Sequence, residues 1–458
     1  MSGADFVERG HLALPTELLS FRKKSCREDR TMRIARRTLA SVLSCVVCIP
    51  LLAKAAEPLP RAKPEEAGMS SERLALIGKI IDPEIARDQL PGGVLAIARR
   101  GKLIHFAAYG YLDKAAGTPM RTDAIFNIAS MTKPMVAVAG LQLYEQGRLL
   151  MNDPLAKYFP KFADMKVAVM DAKKENIVDR VPTTRKITIQ DLFRHTSSLV
   201  YGGRGATAVH KLYPEGSTQA AVAMTGAEFL DRLSSLPLLY QPGTVWDYGF
   251  GLDVLGLIVE SLSEQALGQY LEEQVWKPLG MVDTHFVIPA DKVARYAKAL
   301  PVDPETGQPQ SLRSLTEPTK FACGGGCTAS TASDYMRFAL MLANKGTYDG
   351  HRILARKTVE YMTSNQLAPD VQNRIGITGD PTRADYGFGL GVAVRTTPGI
   401  ARMMGSVGDF SWPGASGTNW WVDPREELVV VWMAHSPGSI RWKYRQMINA
   451  LVYQSILD

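Results

Sequence analysis

The chain has 458 residues, 46% hydrophobic and 22% charged, the composition of an ordinary globular protein with ample length for a large core. Its formal net charge is +7, but Arg22, Lys23, Lys24, Arg27, Arg30, Arg33, Arg36 and Arg37 crowd into one early stretch. That local excess points to a targeting segment and excludes a nucleic-acid reading of the charge, because the remainder is near neutral.

The leader has three blocks in the order that export requires. Met32-Arg-Ile-Ala-Arg-Arg is basic, residues 38–52 are apolar, and Ala53-Lys54-Ala55 offers a small-x-small cleavage site. The expected organisation is therefore an extension and signal peptide over 1–56, followed by one domain over 57–458. Translation can start at Met1 or Met32. The apolar run is short for a span and contains Pro50, so no stable membrane span is expected after cleavage. The expected location is periplasmic or secreted, by the general route or, given Arg36-Arg37, the twin-arginine one. Cys26, Cys45 and Cys48 fall in the leader, which leaves Cys323 and Cys327 around Gly324-Gly325-Gly326. A Cys-x-x-x-Cys with no other Cys or His nearby is a poor zinc site, so no metal and no cofactor are expected. The pair reads as a tight structural loop, open to a disulfide in an oxidising compartment.

Along the mature chain, Ser70-Ser71-Glu72 caps a helix that must end before Pro91-Gly92-Gly93. Residues 94–99 and 103–109 read as two strands joined at Arg100-Gly101-Lys102. Residues 127–147 then carry apolar side chains at helical spacing, with Gly147 as the stop. Ser130 stands where this helix begins and Lys133 follows one turn later. The hydroxyl and the amine thus share a face at the positive end of the helix dipole. Pro134 is tolerated so early because first-turn amides have no intrahelical acceptor. The region 150–300 reads as helices and loops, including a helix capped near Thr188 and an amphipathic one over 251–264. Another helix is expected over 332–344. Strand signals return at 387–394, 419–422 and 428–433, before a terminal helix over 440–457. Strands at both ends with helices between them imply one sheet built from distant segments, flanked by a helical subdomain.

Ser-x-x-Lys by itself is a weak motif, since Ser20-Phe-Arg-Lys23 in the leader also matches it. Context strengthens it. Gln241-Pro-Gly-Thr-Val-Trp-Asp-Tyr248 places a tyrosine after a turn and just before a helix. Phe410-Ser-Trp412-Pro413-Gly414-Ala415 is a glycine-containing entry to a strand, where backbone amides can face a ligand. Alone, Tyr248 reads as core packing and Trp412 as an interface aromatic.

Together these segments resemble the serine β-lactamase-like superfamily, specifically class C β-lactamases and family VIII carboxylesterases. Ser130-Met-Thr-Lys133 matches the Ser-x-x-Lys motif, and Pro242-Gly243-Thr244 to Tyr248 matches the approach to Tyr-x-Asn. Leu192-Phe-Arg-His195-Thr196-Ser197 is similar to an architectural segment of the family. Gly324-Gly325-Gly326 to Ser333-Asp334-Tyr335 resembles its Gly-rich loop and following helix. The Lys-Thr-Gly position falls on Trp412-Pro413-Gly414, and family VIII esterases carry Trp-Gly-Gly there. The resemblance implies an α/β (α+β) fold of the β-lactamase/penicillin-binding-protein type. In it, an antiparallel sheet of N- and C-terminal segments is flanked by helices and a mainly helical subdomain. It also implies Ser130 as nucleophile, Lys133 or Tyr248 as base, and an oxyanion site at the amides of Ser130 and Ala415, beside Gly414.

Two departures shape the expected substrate. Phe250 replaces the asparagine of Tyr-x-Asn, and Trp412 replaces the lysine that meets a substrate carboxylate in the β-lactamases. Ester cleavage needs neither group. The expected function is a secreted serine hydrolase that cleaves carboxylic esters through a Ser130 acyl-enzyme, acting on a small-molecule ester or amide. The alternatives are a class C-type β-lactamase, a D-stereospecific peptidase or an acyltransferase of the same fold, and a penicillin-recognising protein without turnover. No nucleic-acid partner is expected, and no oligomeric state is read from the sequence. A rival nucleophile, Ser436 in Ala434-His435-Ser436-Pro437-Gly438, resembles an α/β-hydrolase elbow. No histidine follows it, so it reads as a strand-to-helix turn.

Overall fold

A computed structural model describes residues 59–458, so the expected leader over 1–56 and its cleavage site lie outside the described residues. The architecture is built on eight strands: β1 Gly92–Arg99, β2 Lys102–Asp113, β3 Thr118–Pro119, β4 Tyr386–Phe388, β5 Ala393–Arg395, β6 Phe410–Ser411, β7 Asn419–Asp423 and β8 Leu428–Ala434. They form one sheet in the order β4-β5-β6-β7-β8-β1-β2-β3, antiparallel at every pairing. Its middle is the pairing of β1 with β8, in register from Gly93 opposite Ala434 to Arg99 opposite Leu428. An early strand and a late strand of the described residues therefore meet at the centre of the sheet.

The strand period of two sorts side chains to opposite faces. Val94, Ala96 and Ala98 join Val429, Val431 and Met433 in one core, while Leu95 and Ile97 join Leu428, Val430 and Trp432 in another. Both faces are apolar because both are covered. Helices α1 Leu76–Ala86 and α5 Arg441–Tyr453 lie on the second face through Ile77, Ile81, Tyr444 and Ile448. The first face carries α2 Thr132–Glu145, α3 Gly251–Ser263 and α4 Ala332–Ala343 within the larger core. Helix α2 is buried almost all round, as its nearly unbroken apolar sequence requires. Gly140 lets α3 approach it: a Cβ there would lie 2.8 Å from the Phe193 ring and 3.1 Å from Leu255.

Most expected elements form, with several bounds moved: β2 runs on to Asp113, and the helix expected over 127–147 is a 3₁₀ turn followed by α2 from Thr132. The single strand expected over 387–394 is the hairpin β4–β5, turned at Gly391 with φ +83°. The terminal helix stops at Tyr453. The middle region also holds a two-stranded hairpin, Lys166–Met170 with Ile177–Pro182, that the sequence reading missed. Its second strand carries Asp179 and Arg180 and is mostly exposed, so it lacks the apolar alternation that announces a half-buried strand. The helix after Thr188 is short, Ile189–Phe193, and Thr188 and Asp191 form the reciprocal capping box at its start. Among the described residues no helix is long and apolar enough to cross a membrane.

Candidate active site

The chain enters α2 through a 3₁₀ turn, Ala129–Met131, whose first residue has φ +44°, a conformation alanine rarely adopts. The turn is held from three sides. Asn127 Oδ1 accepts the Ala129 amide at 2.9 Å, the Ser416 hydroxyl donates to Asn127 O at 2.5 Å, and the Tyr335 hydroxyl donates to Met131 O at 2.9 Å. This fixes Ser130 on the wall of a cavity of about 400 Å³, together with Tyr201, Arg204, Ser217, Tyr248, Gly325 and Ala415.

Lys133 lies one turn below, as the three-residue spacing implies, and is 1% exposed. Its Nζ donates to Ser130 Oγ at 3.4 Å and to Gly325 O at 2.5 Å, and sits 4.5 Å from the centre of the Tyr248 ring. A proton leaving the Ser130 hydroxyl would thus move toward an amine and a phenol already gathered beside it. Gly325 belongs to the loop closed by the Cys323–Cys327 disulfide. The cysteine pair is structural, and among the described residues no cluster of His, Cys, Asp or Glu could hold a metal ion.

Tyr248 is placed by an aromatic frame. Its ring packs against Trp246, His195, Tyr201 and Trp412 at centroid distances of 6.0, 4.8, 5.1 and 5.2 Å. His195 lies in the segment whose resemblance implied an architectural role. Its carbonyl accepts the Asp247 amide at 3.0 Å, its neighbour Thr196 accepts Gly243 at 2.8 Å, and its ring is wedged among Trp246, Tyr248 and Phe388. Burial pushes the His195 imidazole well below its ordinary pKa, with the charge of Lys133 adding to the effect. Asp191 anchors the same segment from beneath. It is fully buried and accepts from Arg185, Arg194 and Thr196 at 2.6, 3.1 and 2.7 Å.

Trp412 faces neither solvent nor an interface. Its Nε1–H donates to the Tyr248 oxygen at 3.0 Å, and the indole is 2% exposed. Ala415 borders the cavity beside Ser130, and among the described residues its amide has no acceptor. Gly414 stands behind that wall. Its amide donates to Thr418 O at 3.0 Å, and a Cβ would lie 2.4 Å from Ile128 O. Phe250 does not line the cavity either; it is buried against Tyr201 and Phe229, with ring centres 4.6 and 5.2 Å away. The rival Ser436 has a buried hydroxyl with no hydrogen-bond partner among the described residues. His435 serves the backbone instead: Nδ1 donates to Ala297 O and Nε2 accepts from the Asn127 amide, both at 2.9 Å. Burial lowers this imidazole to a pKa of about 4.

The beta-lactamase family model matches residues 77–452. The chain belongs to the beta-lactamase family. Among its beta-lactamase relatives, protein Rv1367c of Mycobacterium tuberculosis is 37% identical over 355 residues, 76% of this chain and 86% of that protein. Esterase EstB of Burkholderia gladioli is 28% identical over 374 residues, 79% of this chain and 90% of that protein. Two solved structures share the fold. EstCE1, described as a hydrolase with promiscuous acyltransferase activity, superposes with a TM-score of 0.68 at 24% identity, covering 83% of this chain and 99% of that one. Unliganded simvastatin synthase LovD from Aspergillus terreus gives 0.68 at 21% identity, covering 84% and 98%.

Sequence reasoning missed polar residues of this beta-lactamase-fold site, among them Arg204, Ser217, Asp253, Asp380, Arg441 and Arg445. Asp253 alone carried a signal, an acid in the otherwise apolar run Gly251-Leu-Asp-Val-Leu-Gly-Leu-Ile-Val. The geometry around Trp412 generates a prediction. Trp412→Phe keeps an aromatic ring but removes the hydrogen bond to the Tyr248 oxygen. Turnover of an activated ester should fall about tenfold, the worth of one such bond, with the melting temperature little changed. Steady-state kinetics and a thermal scan of the two proteins check it.

Proposed function

We propose that this chain is a serine hydrolase that cleaves carboxylic esters through an acyl-enzyme on Ser130. The family match and the named esterase and acyltransferase relatives support the coarser reading, a β-lactamase-fold hydrolase or acyltransferase. The observation that carries the finer one is the contact of Lys133 Nζ with Ser130 Oγ, beside the Tyr248 ring, on a cavity wall.

In this reading the Ser130 oxygen attacks the ester carbonyl while its proton passes to the Lys133–Tyr248 pair. The tetrahedral oxyanion forms against the amides of Ser130 and Ala415; such a donor is typically worth about 10²–10³ in rate. The pair returns the proton to the departing alkoxide. Water then attacks the acyl-enzyme to release the acid, and an alcohol entering instead of water would make the same enzyme an acyltransferase.

One observation favours a second reading, in which the substrate carries a carboxylate. Trp412 removes the expected cation, but a second, smaller cavity of about 20 Å³, which shares Ser130, Arg204, Tyr248 and Ala415 with the first and reaches Trp412, is also lined by Arg441 and Arg445. The one carboxylate lining it, Asp380, is engaged by Arg445. Arg204 donates to Gly379 O at 3.3 Å and Arg441 to the carbonyls of Pro437 and Gly438, and among the described residues neither forms an ion pair. Positive charge thus exceeds negative in this cavity, an arrangement suited to an anionic group.

The basic, apolar and Ala-x-Ala blocks of the leader support export, as proposed from the sequence. N-terminal sequencing of the exported protein should begin at Ala56 or Glu57, and a retained Met32 segment would refute cleavage.

Two further outcomes are expected. Ser130→Ala should abolish labelling by an acylating active-site probe while the protein stays folded. Lys133→Ala and Tyr248→Phe should each cost roughly 10²–10⁴ in turnover, non-additively. Mass spectrometry of the labelled tryptic peptide decides the nucleophile, and benzylpenicillin turned over as fast as a short-chain aryl ester would defeat the ester preference. For the second reading, Arg204→Gln should lower kcat/KM about tenfold more for an ester bearing a carboxylate than for its neutral analogue. Equal effects on both esters would remove the anionic-substrate reading.

A further inference from the structure

A buried acid closes in on Lys133, and the chemistry proposed above makes no use of it. Asp253 lies in the first turn of α3, five residues after Tyr248, and is fully buried. Its Oδ1 accepts the Gly325 amide at 2.8 Å, and its Oδ2 accepts the Ser217 hydroxyl at 2.8 Å and the Tyr201 hydroxyl at 3.3 Å. The carbonyl of the same Gly325 takes the Lys133 amine. One glycine thus touches the acid with its N–H and the amine with its C=O, and the Cys323–Cys327 disulfide brackets it. A Cβ on Gly325 would lie 2.0 Å from Ser217 Oγ and 2.4 Å from an Asp253 oxygen, so the loop approaches the acid as only glycine can.

The sequence supplies a reason for an acid at this point. Phe250 puts no polar atom at the end of α3, and Asp253 stands one helical turn later on the same side. We propose that Asp253 is a positioning residue: through Gly325 it fixes the Lys133 amine beneath Ser130, and its negative charge keeps the proton of the Lys133–Tyr248 pair on the lysine. This proposal rests on the Ser130 acyl-enzyme reading.

Beyond Tyr248, the smaller cavity is lined by Arg441, Arg445 and Asp380. Facing the pair from the segment after α2 are His195, neutral by burial, Tyr201, whose phenol is pushed up by burial and by Asp253, and Arg204, over the Tyr248 ring at 5.6 Å. From α3 comes Asp253 itself. Burial raises its carboxyl above the usual carboxylate range, while Lys133 and its three donors pull it back. The disulfide loop contributes backbone dipoles, and Trp412 an uncharged donor.

Asp253→Asn keeps the shape of the side chain and an acceptor for the Gly325 amide, but removes the charge. With Ser130 labelling confirmed first in the wild type, kcat should fall roughly tenfold with KM nearly constant. The acidic limb of kcat/KM should move to lower pH by about one unit, because losing a neighbouring anion lets the pair give up its proton more easily. Ser217→Ala, which strips one donor from the carboxylate and so favours its neutral form, should move the same limb the same way by less. A fall in kcat with an unmoved limb would assign Asp253 a structural part only and overturn the proposal, as would a wild-type profile. If Asp253→Asn does not fold, the Ser217→Ala limb decides in the same sense. Wild-type protein without label on Ser130 overturns the nucleophile and this proposal together, whereas label with an unmoved limb overturns this proposal alone.

Discussion

A lysine amine buried at the start of a helix is the constraint on which this structure turns. A buried amine is costly unless its hydrogen bonds are met, and Lys133 meets them with Ser130 Oγ and Gly325 O. Meeting them commits distant parts of the chain to one place: the entry to α2, the disulfide loop and the start of α3. The tight entry at Ala129 is part of the same arrangement, since it sets the Ser130 hydroxyl over the amine, and Asn127, Ser416 and Tyr335 hold it there.

Around that point the protein uses rigid aromatics where related enzymes are expected to use an amide and a cation. Trp246, His195, Tyr201 and Trp412 hold Tyr248 by packing, and the Trp412 N–H reaches its oxygen. Such a frame positions a phenol with little conformational freedom, since aromatic side chains have few torsions to fix. The loops that carry the site are thus packed against the scaffold through these rings. Its polar character comes from residues outside the familiar motifs: Asp253 on one side of Lys133, and Arg204 and Arg441 on the smaller cavity beyond Tyr248.

The same residue types take different parts according to their surroundings. Ser436 and His435 resemble a catalytic pair in sequence, yet the histidine hydrogen-bonds to two backbone groups and the serine faces none. Asp191 and Asp253 are both fully buried acids. Against the pull of burial, Arg185 and the hydrogen bonds from Thr188 and Thr196 hold the Asp191 carboxyl below the ordinary range, whereas burial outweighs the donors of Asp253 and lifts it. Tool-like residues become tools only where partners converge on them.

By itself the sequence determined what depends on local spacing. The Ser130–Lys133 pairing follows from helical periodicity, the β1–β2 hairpin from a Gly-centred turn, and the two-ended sheet from apolar runs at both termini. The ordered motifs added Tyr248 and the Trp412 strand as neighbours. Only the tertiary structure decided what lies across sequence distance. It turned Trp412 onto Tyr248, withdrew Phe250 from the cavity, bridged Cys323 to Cys327 around Gly325, and brought Asp253, Arg204 and Arg441 to the site. The physical reason is that a side chain's role is set by what packs against it. Those contacts join residues far apart in the chain, 164 positions for Trp412 and Tyr248 and 192 for Lys133 and Gly325, and no local pattern encodes them.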